Sequence, residues 1–182
     1  AVIAAMMAAG FKTLNLSLGS MDSTQLKRFQ RPDVREAFER ALNLAGDFNM
    51  QVVGYIIVGA PFQKPGDSLK DLLYMAEHRA LVGTSVFYPA PGSIDFAQCA
   101  AMGLLPETFS CYRSSALPIS HTTTRKEAVT LLRMGRIINF MKSLVDSGLK
   151  LPPPKPATAA VQNPADRRAA GKKLLQFFLY DG

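Results

Sequence analysis

The stretch "MQVVGYIIVGAPFQKPGDSLKDLL", residues 50–73, decides the fold. Its first eleven residues are almost continuously apolar. A strand buried on both faces, as in a parallel sheet, reads this way. Gly59-Ala60-Pro61 stops the run, because Pro lacks the N–H that a ladder needs and Gly permits a sharp turn. A short polar loop follows, and Asp67 or Ser68 is placed to cap a helix with Leu69, Leu72, Leu73, Met75 and Ala76 inward, ending near Gly83. Strand, loop, helix is the first half of a βαβ unit.

The flanking sequence repeats the pattern. Upstream, "FKTLNLSLG" (11–19) alternates Leu14, Leu16 and Leu18 against Thr13, Asn15 and Ser17, the mark of a strand with one strongly apolar face. Pro32-Asp33 opens a helix in which Val34, Phe38, Ala41, Leu42 and Ala45 share a face. "AVIAAMMAAG" at the start reads as a buried helix stopped by Gly10. Downstream, "TSVFYPAPG" (84–92) is a third short strand closed by Pro89 and Pro91, and Ser93 caps a short helix through Ala101. "SCYRSSALPI" (110–119) reads as a fourth strand or an extended loop, and a long helix runs from Thr124 to Gly148. "LKLPPPKPATAAVQNP" is a Pro-rich linker, and 165–182 is a basic amphipathic helix candidate. The expected domains are therefore 1–106, 107–149, 150–164 and 165–182.

Alternating strands and helices with short connections imply right-handed crossovers and a parallel sheet. Three strands make a poor α/β domain by themselves, since both outer strands would have bare edges. The expected fold is α/β, a partial (βα) barrel followed by a helical C-terminal extension, with the exposed edge open to a missing half or to a second copy.

Bulk properties narrow the classes. Net charge is +7, which permits contact with nucleic acid or acidic substrates without demonstrating it. No apolar run reaches the roughly 18–20 residues of a membrane span. The expected compartment is the cytoplasm, with Cys99 and Cys111 as reduced core residues whose spacing matches no metal motif.

Ligands of parallel α/β sheets bind beyond the carboxyl ends of the strands. Three loops sit there: "SLGSMDS", "VGAPFQKPGDS" and "FYPAPGS", all rich in Gly, Pro and Ser. Gly59 and Gly66 lie too far apart for a phosphate loop, and no Lys follows Gly66. His78 and His121 read as surface or capping residues. Arg31 is placed to reach inward and clamp a carboxylate. Arg133, Arg136 and Asn139 step by three and read as one helix face. With Arg113, Ser114, Ser115, Thr122–Thr124, Arg125 and Lys142 they form a polar, basic set, read as an anionic-substrate or partner site or as a solvated face.

"LNLSLGSMDSTQLKRFQRP", "VVGYIIVGAPFQKPGDSLKDLLYMA" and "TSVFYPAPGS", in that order, resemble the second half of a radical S-adenosylmethionine (SAM) enzyme barrel. The branch they resemble is that of oxygen-independent coproporphyrinogen oxidase. The resemblance covers residues 1 to about 96. It implies that Arg31 holds the SAM carboxylate, that Ile57 and the Gly59-Ala60 backbone line the adenine, and that Val86, Phe87 and Tyr88 close the adenine pocket. Ser20 joins this set, and Gln63 is structural. The branch has Gln where this chain has Met21, and an acidic residue where it has Tyr55. The family's Cys-x-x-x-Cys-x-x-Cys motif, which holds a [4Fe-4S] cluster, is not in this sequence. The expectation is a C-terminal portion of a larger enzyme, inactive alone, with the cluster ligands in a missing N-terminal half and an unknown substrate. The alternatives are a cluster-free (βα) barrel enzyme with a phosphate-binding rim, or a non-catalytic module whose basic tail docks a partner.

Overall fold

A computed structural model describes residues 2–111 and 117–150. Tyr112–Ala116, the Pro-rich linker and the basic tail lie outside the described residues, and with them Arg113, Ser114 and Ser115. The chain divides into two units, Ala1–Asn139 and Phe140–Gly182.

The first unit is an α/β layer. Its strands are β1 (Thr13–Gly19), β2 (Gln51–Val58) and β3 (Leu81–Val86), and its helices are α1 (Val2–Ala8), α2 (Ser23–Arg28), α3 (Arg35–Asp47), α4 (Pro65–Glu77), α5 (Ile94–Ala101) and the first two-thirds of α6 (Arg125–Asp146). The sheet is parallel with strand order β1-β2-β3. Three strands laid down in sequence order, with crossovers of one hand, put every crossover helix on the same face. That face carries the core. Leu14, Leu18, Val52, Ile56, Val58, Val82 and Val86 pack there against Phe38, Leu42 and Ala45 of α3, Leu72 and Met75 of α4, and Ala128 and Leu131 of α6. At Gly135 an added Cβ would stand 2.3 Å from Thr84 Oγ1, so α6 approaches β3 at a distance only Gly allows.

The other face is uncovered among the described residues. Asn15, Ser17, Gln51, Tyr55 and Ser85 are exposed there, with Val53, Ile57 and Leu81 half-buried. β2 is thus buried on one side only, a correction to the reading of a strand covered twice. Its unbroken apolar run comes partly from Tyr55, whose ring lies across Gly83 of β3, where a Cβ would stand 2.6 Å from ring carbon. The aromatic ring covers its neighbour in place of a second layer of helices.

The two sheet edges differ. Asn139 of α6 reaches the outer edge of β3, where its Oδ1 accepts from the Val82 N–H at 2.6 Å and its Nδ2 donates to the Val82 carbonyl at 2.9 Å. One amide side chain thereby reproduces the pairing of a missing strand. The expectation of two bare edges is corrected at β3. The expected common face of Arg133, Arg136 and Asn139 also fails, because Asn139 turns to the sheet while both Arg are exposed. Steps of three fall short of a full turn and drift around the helix.

Boundaries shifted in three places. α4 starts at Pro65, with Lys64 at the cap position, because Pro fits the first helical position where its missing N–H costs nothing. It ends at Glu77 rather than near Gly83, so Gly83 lies within β3, which opens at Leu81. Leu72 and Met75 are buried as expected, whereas Leu69, Leu73 and Ala76 are exposed. Helix α2 was not foreseen. It is short and is made by Asp22, whose Oδ1 accepts from the N–H groups of Thr24 at 2.6 Å and Gln25 at 3.1 Å.

α6 begins with a reciprocal cap. Thr124 N–H donates to Glu127 Oε2 at 2.8 Å, and Glu127 N–H returns to Thr124 Oγ1 at 3.3 Å. In the second unit the same helix runs to Asp146. Gly148, at φ 80°, closes it as Leu149 N–H bonds the Leu144 carbonyl at 3.0 Å. Cys99 is fully buried, Cys111 is partly exposed, and both are free. Residues 117–120 form no strand, and no described helix is long and apolar enough to cross a membrane.

Candidate functional site at the strand ends

The loops that follow the three strands form one rim. At the first, β1 bulges between Ser17 and Gly19, and the Ser20 N–H folds back to the Leu18 carbonyl at 3.2 Å. Ser20 is fully buried. Its hydroxyl donates to Asp71 Oδ2 of α4 at 2.9 Å, while the Met21 N–H donates to Asp71 Oδ1 at 2.6 Å. The Asp71 carboxyl is pushed up to about 6. Burial is the main cause, the Met21 and Ser20 bonds oppose it, and Asp22 and Asp67 add to the rise. Asp71 thus holds the β1 loop from beneath, and the Ser20 hydroxyl it binds accepts in turn from the N–H of Asp22, the cap of α2, at 3.1 Å.

Beyond α2 the chain doubles back. Gln30 takes φ 53° and the Arg31 N–H bonds the Leu26 carbonyl at 2.9 Å. Arg31 Nη1 then donates to Ser17 Oγ at 2.7 Å, on the uncovered face. No carboxylate pairs with Arg31 among the described residues, so the rest of its guanidinium fork is available to an anion.

The second loop is tied by Gln63, which is 1% exposed. Its Oε1 accepts from the Ala60 N–H at 3.1 Å, and its Nε2 donates to the Ile57 carbonyl at 2.9 Å. From above, Thr122 and Thr123 each donate a hydroxyl to the Gln63 carbonyl at 2.7 Å. Gln63 is therefore structural. The segment "HTTT" before α6 is fastened to this loop, a link invisible in the sequence because it joins residues about 60 positions apart. Within the loop Phe62 stands at φ 64°, a conformation that L residues other than Gly seldom adopt. Its ring is held on two sides. The Arg28 guanidinium carbon sits 4.3 Å from the ring centroid, and the His121 ring meets it edge-on at 4.8 Å. The Phe62 N–H donates to His121 Nδ1 at 3.1 Å. His121 is thus a capping residue, as expected, for one N–H of this loop.

At the third loop the Phe87 N–H continues the ladder to the Val58 carbonyl at 2.8 Å, and the Phe87 ring stacks on Phe29 at 6.2 Å. That pair spans the rim from the end of α2 to the end of β3.

The eight residues singled out in the sequence separate into two groups. Arg31 reaches Ser17 on the uncovered face, where Ile57 is half-buried, and Phe87 and Tyr88 are half-buried beyond the end of β3. Ser20, Ala60 and Val86 are buried at 0%, 1% and 7% exposure, with Val86 in the core and Ser20 bound to Asp71. Gly59 is buried against Ala128 of α6, leaving only backbone to a ligand. Arg28, Phe29 and Phe62 belong to the rim and were not singled out. A run of basic and aromatic residues in "LKRFQR" was the signal that could have found the first two.

A second concavity, about 520 Å³, lies between the first turns of α4 and α6 and is walled by Pro65, Leu69, Leu131 and Met134. Of the rim, only Pro65 and Gly66 at the far end of the second loop and Thr124 of the fastened segment line it. Among the described residues no group of three His, Cys, Asp or Glu could hold a metal ion. No family model matches the chain, and no curated protein matches its sequence.

Proposed function

We propose that this chain supplies the C-terminal half of a radical SAM (βα) barrel and contributes part of the SAM pocket, the substrate being unknown. The observation that carries the reading is the difference between the sheet edges. Asn139 occupies the β3 edge, whereas β1 has no strand on its outer side among the described residues. Further strands would therefore join beside β1 and close the uncovered face into a barrel interior. On this reading those strands would belong to the N-terminal half.

The donor chemistry fits half a pocket. Arg31, steadied by Ser17, would take the SAM carboxylate. Ile57 offers an apolar side chain to the adenine, and the Gly59-Ala60 turn brings backbone close to it. No described residue set fits an iron–sulfur cluster, so on this reading its ligands belong to the other half, in the cytoplasmic parent enzyme. The cluster would supply the electron that cleaves SAM to a 5′-deoxyadenosyl radical. This chain's part is to bind and orient the nucleotide.

The test is an amide NMR titration with S-adenosylmethionine. Shifts confined to Ser17, Arg31, Ile57 and Gly59, weakened by Arg31→Ala by about 1.5–3 kcal/mol for a lost charged hydrogen bond, support the reading. Shifts elsewhere, or none up to millimolar ligand, overturn it. Upstream DNA encoding the three-Cys motif in frame would support it independently.

A further inference from the structure

The geometry points to Arg28, Phe62 and His121 as a binding site for the oxyanion of a small-molecule ligand, a carboxylate or phosphate group, separate from Arg31. Two cations or donors flank one ring. The Arg28 guanidinium carbon lies 4.3 Å from the Phe62 ring centroid, and the Phe62 and His121 ring centroids are 4.8 Å apart in a T-shaped arrangement, so both donors gather around one partly exposed ring.

Each member is held in a state suited to an anion. His121 Nδ1 accepts the Phe62 N–H, which places the imidazole proton of the neutral ring on Nε2, as a donor turned away from the loop. Arg28 makes no ion pair among the described residues, and its cation–π contact with Phe62 holds the guanidinium near the ring while leaving N–H groups for an anion. Phe62 holds positive φ, a conformation with a strain cost for an L side chain. Gly would remove that cost and with it the ring on which both neighbours rest. The loop cannot relax, because Gln63 is bonded from below by Ala60 and Ile57 and from above by Thr122 and Thr123. A strained aromatic that orders two donors at the mouth of a parallel sheet is a ligand-facing arrangement.

The site stands without the SAM reading, and the experiment separates the two. Inorganic phosphate, and in a parallel series acetate, are titrated at constant ionic strength into the full chain. The His121 ring protons and the Phe62 amide are followed by NMR. The expected result is saturable shifts at both positions with at least one of the two anions, and roughly 10- to 100-fold weaker binding in Arg28→Gln. Arg28 is exposed, so this variant keeps the fold, and its amide spectrum verifies that. Lys12 is an exposed cation at the opposite end of the sheet, and Lys12→Gln is expected to bind the anion as the wild type does. The stronger anion identifies the ligand group. Absence of saturation, equal affinity in Arg28→Gln, or loss of binding in Lys12→Gln overturns the proposal.

Discussion

Asp71→Asn tests the buried link between α4 and the β1 loop. The folded carboxyl sits at about 6, against about 3.9 in an unfolded chain. The folded state therefore holds the proton more tightly. That contribution to stability is fully present below about pH 4 and is lost as pH rises through about 6. The whole gap corresponds to about 3 kcal/mol, of which roughly 1.4 kcal/mol remains at about pH 5 and essentially none at about pH 8. Asn keeps the shape and can still accept from the Met21 N–H, but it does not titrate here. Urea unfolding of both proteins at the two pH values isolates Asp71 from every other group. Relative to the variant, the wild type is expected to gain about 1.4 kcal/mol on going from about pH 8 to about pH 5. Identical pH dependence in the two proteins, or a gain of opposite sign, refutes the argument that burial outweighs the Ser20 and Met21 hydrogen bonds.

Asn139→Leu should strip both partners from Val82 at the β3 edge. A loss of about 1–3 kcal/mol per unsatisfied group is expected in urea unfolding, with faster hydrogen exchange at the Val82 amide. An unchanged Val82 exchange rate would mean that α6 does not guard that edge. Gln63→Leu keeps the bulk but orphans the Ala60 N–H and the Ile57 carbonyl, so a loss of about 2 kcal/mol or more is expected. The same variant should free His121 and Thr122 to move, which would appear as broadening of their NMR signals. A fully stable Gln63→Leu would show that the loop is held by its backbone alone.

Periodicity determined much of this protein. The Leu14, Leu16, Leu18 alternation, the apolar run ending at Val58, and the Phe38, Leu42, Ala45 stripe are local signals. They yielded parallel strands, crossover helices and the place where a rim must form. Ser93 and Thr124 marked helix starts because a cap is a contact within three residues. What the local signal could not decide was what lies across space. One apolar pattern serves a strand covered on both faces and a strand like β2, where Tyr55 screens one side. Whether Asn139 faced solvent or a sheet edge depended on where α6 came to rest, which Gly135 permits but does not announce. A serine in a Gly-rich turn, such as Ser20, can serve a ligand or the scaffold, and the sequence does not say which. Only its distance to Asp71, fifty-one positions away, assigns it to the scaffold. The rim cluster of Arg28, Phe62 and His121 is equally non-local. It exists because the end of α2, the loop after β2 and the segment before α6 meet, where tertiary packing, not sequence spacing, sets which side chains touch.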